Sequence, residues 1–357
     1  MNFKRISTLY IGVTALLFIN FSCKKDPVEE QVAFNKGVML SDVANNIIVP
    51  SFNTFETNIN SLESSFLTFQ GNPTQGNFDI VKNDWRTAYM QWQTVKIFDF
   101  GPMRDLGFKG SAGTYPTDST QVLLNIANGG YNLGSVDNVD AIGFSALDFL
   151  FYRNNALSDF SSNPDYAQYA LDLIQKMKSE FATINAQWAG YKSTFIASTG
   201  TEATAAFSLL VNEFNRDYEL AKNAKLGIPL GKQSLGIQLP EYIEARHSGI
   251  SLELLKESII ALRLVYLGDD SNTNGQGFHE YLISLERSSL ADNINSRFGQ
   301  IISKIDTFNS SLETEMTTNV AQLDELYNLV QGQVVNIKTD MTSAFGVLIT
   351  YQDGDGD

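Results

Sequence analysis

Apolar residues recur at three- and four-residue spacing along almost the whole chain, the spacing that gathers side chains on one face of an α-helix. The run over residues 40–70 shows it most clearly. Pro50 lies inside this run, where it removes a backbone hydrogen bond and predicts a kink. No alternation of apolar and polar residues persists as it would in strands. The pattern therefore predicts an all-α fold.

Glycine- and proline-containing breaks divide the rest of the chain into further helical runs. These runs cover residues 78–98, 119–126, 139–152, 164–188, 201–224, 251–267, 277–309 and 312–345, with a loop-rich segment over 104–116. Roughly eight long helices are more than one four-helix bundle needs. We expect two packed four-helix-bundle domains, residues 39–195 and 196–350.

The first 22 residues have the parts of a secretory signal peptide. Lys4 and Arg5 supply positive charge, a mostly apolar run covers residues 9–21, and the small residue Ser22 precedes Cys23. The apolar run is shorter than the roughly 20 residues that span a bilayer. We interpret residues 1–22 as a signal peptide and Cys23 as the lipid-bearing first residue of the mature protein. The alternative is an ordinary cleaved signal followed by an incidental cysteine.

Cys23 is the single cysteine in 357 residues, so the sequence allows no internal disulfide and leaves no other thiol for catalysis. The polar residues that follow it predict a flexible tether over 23–38. At the other end, the DGDGD sequence within 351–357 resembles the start of an EF-hand loop but stops before the bidentate glutamate. We interpret it as an acidic tail.

Charge excludes one class of partner. The chain has 25 Lys and Arg against 40 Asp and Glu, a net charge of −15. Such a surface repels the phosphate backbone, so we expect no nucleic-acid partner.

Catalytic motifs are missing from the sequence. A zincin-type peptidase needs two histidines one helical turn apart with a glutamate base, and the two histidines here, His247 and His279, have no partner at that spacing. No GxSxG nucleophile elbow and no phosphate-binding glycine loop occur. With 40 acidic residues, nothing singles out a glycosidase-like pair. We read both histidines as solvated or locally bonded.

Several short elements occur in the order found in the imelysin family. They are NIIVP at 46–50, Trp85, Trp92, FGP at 100–102, SGISL at 248–252, RLVYLG at 263–268 and the last helical stretch from Lys338. Together they make the mature chain resemble that family, whose members are periplasmic or lipid-anchored two-bundle proteins. The family was first classed as metallopeptidases and is linked mostly to iron uptake.

The family's GxHxxE metal motif is altered in this chain. Its counterpart is GFSALD at 143–148, which keeps Gly143 but places Ser145 at the histidine position and Asp148 at the glutamate position. With Tyr152, these two residues form a polar seam at i, i+3 and i+7 on an otherwise apolar helix. A serine hydroxyl is a poor ligand for zinc or iron. By resemblance, Asp148 is the main candidate metal contact, with Ser145 and Tyr152 as neighbours.

The resemblance implies a non-enzymatic, lipid-anchored binding protein of the outer membrane that acts in iron or metal-complex uptake, facing the periplasm or the outside. Its candidate cofactor is iron or another divalent metal. Its partners would be the membrane, through Cys23, and an outer-membrane transporter or a metal complex. Two alternatives stay open: an adaptor lipoprotein without a small ligand, and a residual metallopeptidase. Ser145 and Asp148 also have a structural interpretation, as a buried hydrogen-bonded pair or as caps for neighbouring backbone.

Overall fold

The fold consists of two groups of helices that follow each other along the chain. A computed structural model of the protein describes residues 34–269 and 275–351, and these residues contain helices and turns but no strand. The prediction of an all-α fold is therefore confirmed.

The first group contains the long helices α2, α3 and α9 and the shorter helices around them. Its members are α1 (Lys36–Asp42), α2 (Val49–Gly71), α3 (Gln75–Val95), α4 (Pro102–Asp105), α5 (Phe108–Gly113), α6 (Ser119–Asn128), α7 (Gly143–Tyr152), α8 (Ala156–Ser162) and α9 (Pro164–Ala197). Helix α2 packs against α3 and α9, and α7 packs against α3, α5 and α9.

The second group is built on four helices, α10, α11, α13 and α15. Its members are α10 (Ala206–Lys222), α11 (Ser251–Leu267), α12 (Phe278–Ser284), α13 (Ser288–Ile305), α14 (Leu312–Thr318), α15 (Val320–Val334) and α16 (Thr342–Phe345). Helix α11 packs against α10 and α13, and α15 packs against the same two helices. The arrangement matches two packed four-helix bundles.

The two groups share an extended contact, because α3 of the first packs along α11 of the second. Phe34–Asp357 accordingly forms one compact unit. The limits 39–195 and 196–350 stay a prediction, although the segment between α9 and α10 lies close to the predicted boundary.

The helix type changes next to Pro50, whereas the predicted kink itself stays a prediction. Pro50 lies in the first turn of α2, directly after a π-helical segment, Val43–Ile48, that joins α1 to α2. In this segment the backbone N–H of Val49 bonds to the carbonyl of Ala44, five residues back. A wider turn of this kind lets the chain continue as a helix where a proline lacks its donor.

The predicted tether ends earlier than expected. The side chain of Asn35 accepts hydrogen bonds from the backbone N–H groups of Gly37 at 2.9 Å and Val38 at 3.3 Å, so α1 begins at Lys36. The predicted limit at residue 38 thus lies inside a helix. The signal peptide, Cys23, the tether up to residue 33 and residues 352–357 of the tail lie outside the described residues.

Several segments differ from the expectation, among them the helix expected over 312–345, which is divided into α14 and α15 at Asn319. The stretch 104–116 was expected to be rich in loops, but it contains α5, which buries Phe108 and Ala112 one helical turn apart. The single helix expected over 277–309 is divided into α12 and α13 near Glu286, whose φ is +60°.

No helix in the described ranges is long and apolar enough to cross a membrane.

Candidate functional site

Helix α7, which carries the altered motif, is deeply buried. Every residue from Gly143 to Phe151 is buried. The indole N–H of Trp85 donates to the carbonyl of Phe144 at 3.2 Å, and the ring of Tyr89 stacks on Phe144 with centroids 4.6 Å apart. Helix α3 therefore fixes the first turn of α7 in place.

Steric constraints explain why the first motif position, Gly143, is a glycine. Gly143 has a φ of +74°, which disfavours residues with a side chain. A Cβ at this position would lie 2.5 Å from the carbonyl oxygen of Ala112 in α5. A residue with positive φ cannot lie inside a right-handed helix. The helix α7 therefore begins at Gly143 and not at Val139, where the sequence pattern predicts its start.

Asp148 bonds to a loop that is distant in sequence. One carboxylate oxygen accepts the backbone N–H of His247 at 2.9 Å, and the other accepts the backbone N–H of Ser248 at 3.0 Å. The side chain of Asp148 thus caps the loop before α11 and joins the altered motif to the SGISL element. The sequence left open whether Asp148 contacts a metal or caps neighbouring backbone. The contacts in the structure are those of a backbone cap.

The electrostatics of Asp148 follow from its burial. Burial raises the pKa of this carboxyl to about 6, and the hydrogen bonds from His247 and Ser248 oppose part of that rise. The nearby carboxylate of Glu244 adds to it. Asp148 is therefore ionised at pH 7, but with a small margin.

Ser145, Asp148 and His247 line one cavity of about 220 Å³. The remaining lining residues come from the segment before α6 and from the loop before α11: Pro116, Thr117, Ser119, Glu241, Ile243, Ala245 and Arg246. Arg246 is engaged elsewhere, because its guanidinium bonds to Glu313 at 2.6 and 3.1 Å. We call this the motif cavity; its lining residues include one histidine, His247, and two acidic residues, Asp148 and Glu241.

His247 is the residue that the sequence reasoning missed. Partial burial and the neighbouring Arg246 lower the pKa of His247, which favours the neutral form of its imidazole. Its ring packs edge-on against Phe149 with centroids 5.3 Å apart. A neutral imidazole is a good ligand for a transition metal, and this one lines the same cavity as the position where the family motif has its histidine.

Tyr152 is separated from the other two residues of the predicted seam. Its hydroxyl lies 3.5 Å from the carbonyl of Lys82 in α3, and the ammonium of Lys82 lies 5.1 Å from the centre of its ring. It does not line the motif cavity. The structure places Tyr152 in the packing between α7 and α3.

His279 has local partners, as the sequence reasoning predicts. Its Nδ1 lies 2.8 Å from the carboxylate of Glu280, and its ring packs edge-on against Tyr266.

The donors of the motif cavity fit a resident metal ion poorly. Within 34–269 and 275–351, no group of three His, Cys, Asp or Glu side chains is placed to hold a metal ion. Both oxygens of Asp148 already accept backbone N–H groups. Each still has a lone pair left, so Asp148 and His247 offer an incomplete set of ligands, and Glu241, which also lines the cavity, is not placed to complete it.

Comparison with known proteins identifies relatives. The sequence model of the family described as Imelysin matches residues 48–339. Iron-regulated protein A of Synechococcus elongatus is 21% identical over 287 residues, which cover 76% of this chain and 76% of that protein.

Two crystal structures have the same fold. One, described as an iron-regulated protein A precursor from Parabacteroides distasonis, superimposes with a TM-score of 0.75 at 15% identity and covers 90% of this chain and 97% of its own. The other is an imelysin-like protein from Psychrobacter arcticum, with a TM-score of 0.71 at 15% identity, covering 90% and 98%.

Proposed function

The chain belongs to the imelysin family, and from that premise we propose that it is a non-enzymatic binding protein of the cell envelope that takes up an iron complex. The name of its cyanobacterial relative, iron-regulated protein A, supports the link to iron. The predicted signal peptide and the lipid on Cys23 would place the protein at the outer membrane.

One observation carries the proposal: Asp148 and His247 line the same cavity although the family's motif histidine is replaced by Ser145. A carboxylate and a neutral imidazole are both ligands for iron, whereas the serine hydroxyl serves better as a hydrogen-bond partner. Two protein ligands leave most of the coordination positions of an iron ion to other groups. The proposed cargo is therefore iron that keeps part of its own ligand shell, not a bare ion.

The donor set also favours binding over peptide hydrolysis. A metallopeptidase holds its metal with about three protein ligands and supplies a separate general base. Asp148, whose two oxygens cap the loop before α11, is poorly suited to serve as that base.

The test compares the two histidines of the chain. We expect the purified protein to bind ferric nitrilotriacetate in a calorimetric titration, and we expect His247→Gln to weaken that binding about tenfold by removing one ligand. The substitution leaves the bond to Asp148 intact, because His247 donates it from its backbone.

His279→Gln is the matched control, since it removes the other imidazole at a place where Glu280 is its partner. Ser145→Ala should weaken binding about twofold, as expected for one neutral hydrogen bond. No binding by the wild-type protein, or equal losses for the two histidine variants, would refute the proposed site.

A further inference from the structure

A second cavity, of about 350 Å³, lies on the other side of the segment that leads to His247. The 3₁₀ turn after α3, helix α5 and helix α10 contribute to it, together with Lys225 and Glu244. We call it the basic pocket and define it by six of its lining residues: Trp92, Lys96, Lys109, Tyr115, Arg216 and Lys225. Glu244 lines this pocket, whereas its neighbours Ile243 and Ala245 line the motif cavity.

In the lining of the basic pocket, cations outnumber carboxylates, although acidic residues outnumber basic ones in the protein. Four cationic side chains line the pocket against two carboxylates, Asp99 and Glu244, in a chain with a net charge of −15. Asp217 and Glu213 of α10 stand behind the lining and pair with some of these cations. The cations nevertheless lie close to one another. Burial lowers the pKa of Lys96 to about 8; the positive charges of Lys225 and Lys109 also lower it, whereas Asp217 raises it.

Two of the four cations are fully engaged. The ammonium of Lys96 lies 2.7 Å from both carboxylate oxygens of Asp217. Lys225 pairs with Glu244, which also accepts the hydroxyl of Tyr89 at 3.0 Å. These groups form the buried frame of the pocket and hold its walls together.

The other two cations have unused donors. The ammonium of Lys109 is buried and makes no hydrogen bond to a described residue, and its nearest carboxylate oxygens, on Glu213 and Asp217, lie 3.6 and 3.7 Å away. The guanidinium of Arg216 lies 3.5 Å from Glu213 and 3.7 Å from Asp99, also without a hydrogen bond in the described part of the chain. The ammonium of Lys109 thus has carboxylates nearby but makes no hydrogen bond with them, and a ligand oxygen within hydrogen-bond distance would gain affinity there.

The remaining walls suit an organic ligand. Trp92 and Tyr115 supply aromatic surface, and glycines at 110 and 113 keep the α5 side open. A Cβ on Gly113 would lie 2.9 Å from the indole nitrogen of Trp92, so a larger residue there would disturb this wall. A volume of about 350 Å³ is at the lower end of the range for small-molecule sites and exceeds the needs of a single phosphate.

We propose that the basic pocket binds a small polyanion, an organic molecule with two or three carboxylates, through Lys109 and Arg216. The inference does not rest on the proposed function, because it needs neither a metal nor the motif cavity. Lys96 and Lys225 would contribute positive electrostatic potential at the ligand, and their ion pairs with Asp217 and Glu244 hold their side chains in position.

The test is a titration of the purified, metal-free protein with citrate at low ionic strength. We expect binding that weakens as salt is added and that falls about tenfold in Lys109→Gln and in Arg216→Gln, since each loses a charge-assisted contact. Lys304→Gln is the matched control: it removes the same charge from a lysine of similar exposure, 17% against 15%, whose partner is Glu325 on the surface.

Inorganic phosphate forms the second arm. If phosphate binds more weakly than citrate, the result supports a polycarboxylate ligand. If phosphate binds equally or more tightly and its binding depends on Lys109, the ligand is a phosphate and the proposed polycarboxylate is wrong. Thermal unfolding without ligand checks that the variants fold, and Arg216→Gln at the exposed mouth provides the test if Lys109→Gln does not.

The inference is overturned if the wild-type protein binds neither anion, or if Lys109→Gln and Lys304→Gln behave alike. Citrate binding should persist in His247→Gln, so its outcome is separate from that of the iron titration.

Discussion

The carboxylate of Asp148 accepts the backbone N–H of His247 at 2.9 Å, across 99 positions of sequence. Together with the bond to Ser248, it joins the altered motif on α7 to the loop before α11. The contact belongs to the backbone of His247, so it does not occupy the imidazole of this residue, which is one of those that line the motif cavity. Asp148 therefore positions the loop that brings the histidine to the cavity.

Removal of this carboxylate should destabilise the protein. Asp148→Ala leaves two partly buried backbone N–H groups without their acceptor, at a cost of about 2 kcal/mol in the free energy of unfolding. Urea unfolding followed by circular dichroism measures it. Asp137→Ala, at an exposed position, should change the free energy by less than about 0.5 kcal/mol. Similar losses in the free energy of unfolding for both variants would show that capping by Asp148 does not stabilise the protein.

The raised pKa of Asp148 predicts a specific dependence on pH. The folded protein keeps a proton on this carboxyl up to about pH 6, whereas the unfolded chain releases it near the ordinary value of 3.8. The stability that this group contributes is therefore present below about pH 4 and is lost as the pH rises to about 6.

Asp148→Asn removes this titration. Between pH 4 and pH 7, the stability of the variant relative to wild type should rise by about 2 kcal/mol, most of the value of a shift of this size. Urea unfolding at several pH values gives the difference directly. Parallel curves for the two proteins would show that the pKa of Asp148 is not raised.

Gly143 should not tolerate a side chain. Gly143→Ala forces a Cβ to 2.5 Å from the carbonyl of Ala112 at a φ of +74°, so we expect a loss of about 3 kcal/mol in stability. Gly190→Ala is the control, because this glycine lies within α9 and a Cβ there would meet nothing within 4 Å. That control should gain about 0.5 to 1 kcal/mol. Thermal unfolding of both variants decides, and an unaffected Gly143→Ala would contradict the steric argument.

The lipid anchor has its own test. In a Gram-negative host, we expect the wild-type protein to incorporate labelled palmitate and to sediment with membranes, and we expect Cys23→Ser to do neither. Serine keeps the size and polarity of the side chain but lacks the thiol that would carry the proposed lipid. A wild-type protein that is secreted without label would mean that Cys23 is incidental.

The sequence predicted the fold well where helices have clear limits. Helix α11 occupies 251–267 as predicted, because glycines at 249 and 268 adopt positive φ at its two ends. Helix α5 was missed because its glycines at 107, 110 and 113 resemble a loop, although Phe108 and Ala112 lie one turn apart and are buried. For α5, the prediction gave more weight to the glycines than to the short pattern of apolar residues.

The site was predicted less completely, for a physical reason. The spacing of Ser145 and Asp148 on one helix indicated a shared face, and both residues do line one cavity. The partner of Asp148 lies on a different segment, and a single sequence does not show which distant loops meet. The same limit applies to the basic pocket, whose cations Lys109 and Arg216 come from α5 and α10.

The proposed iron complex would bind in the motif cavity through His247 and Asp148. Crystals soaked in ferric nitrilotriacetate and measured at the iron absorption edge would locate it. We expect an anomalous peak within about 2.2 Å of the His247 imidazole and of a carboxylate oxygen of Asp148, a distance typical of such ligands. An iron peak elsewhere in the protein, or none in this cavity, would contradict the proposal.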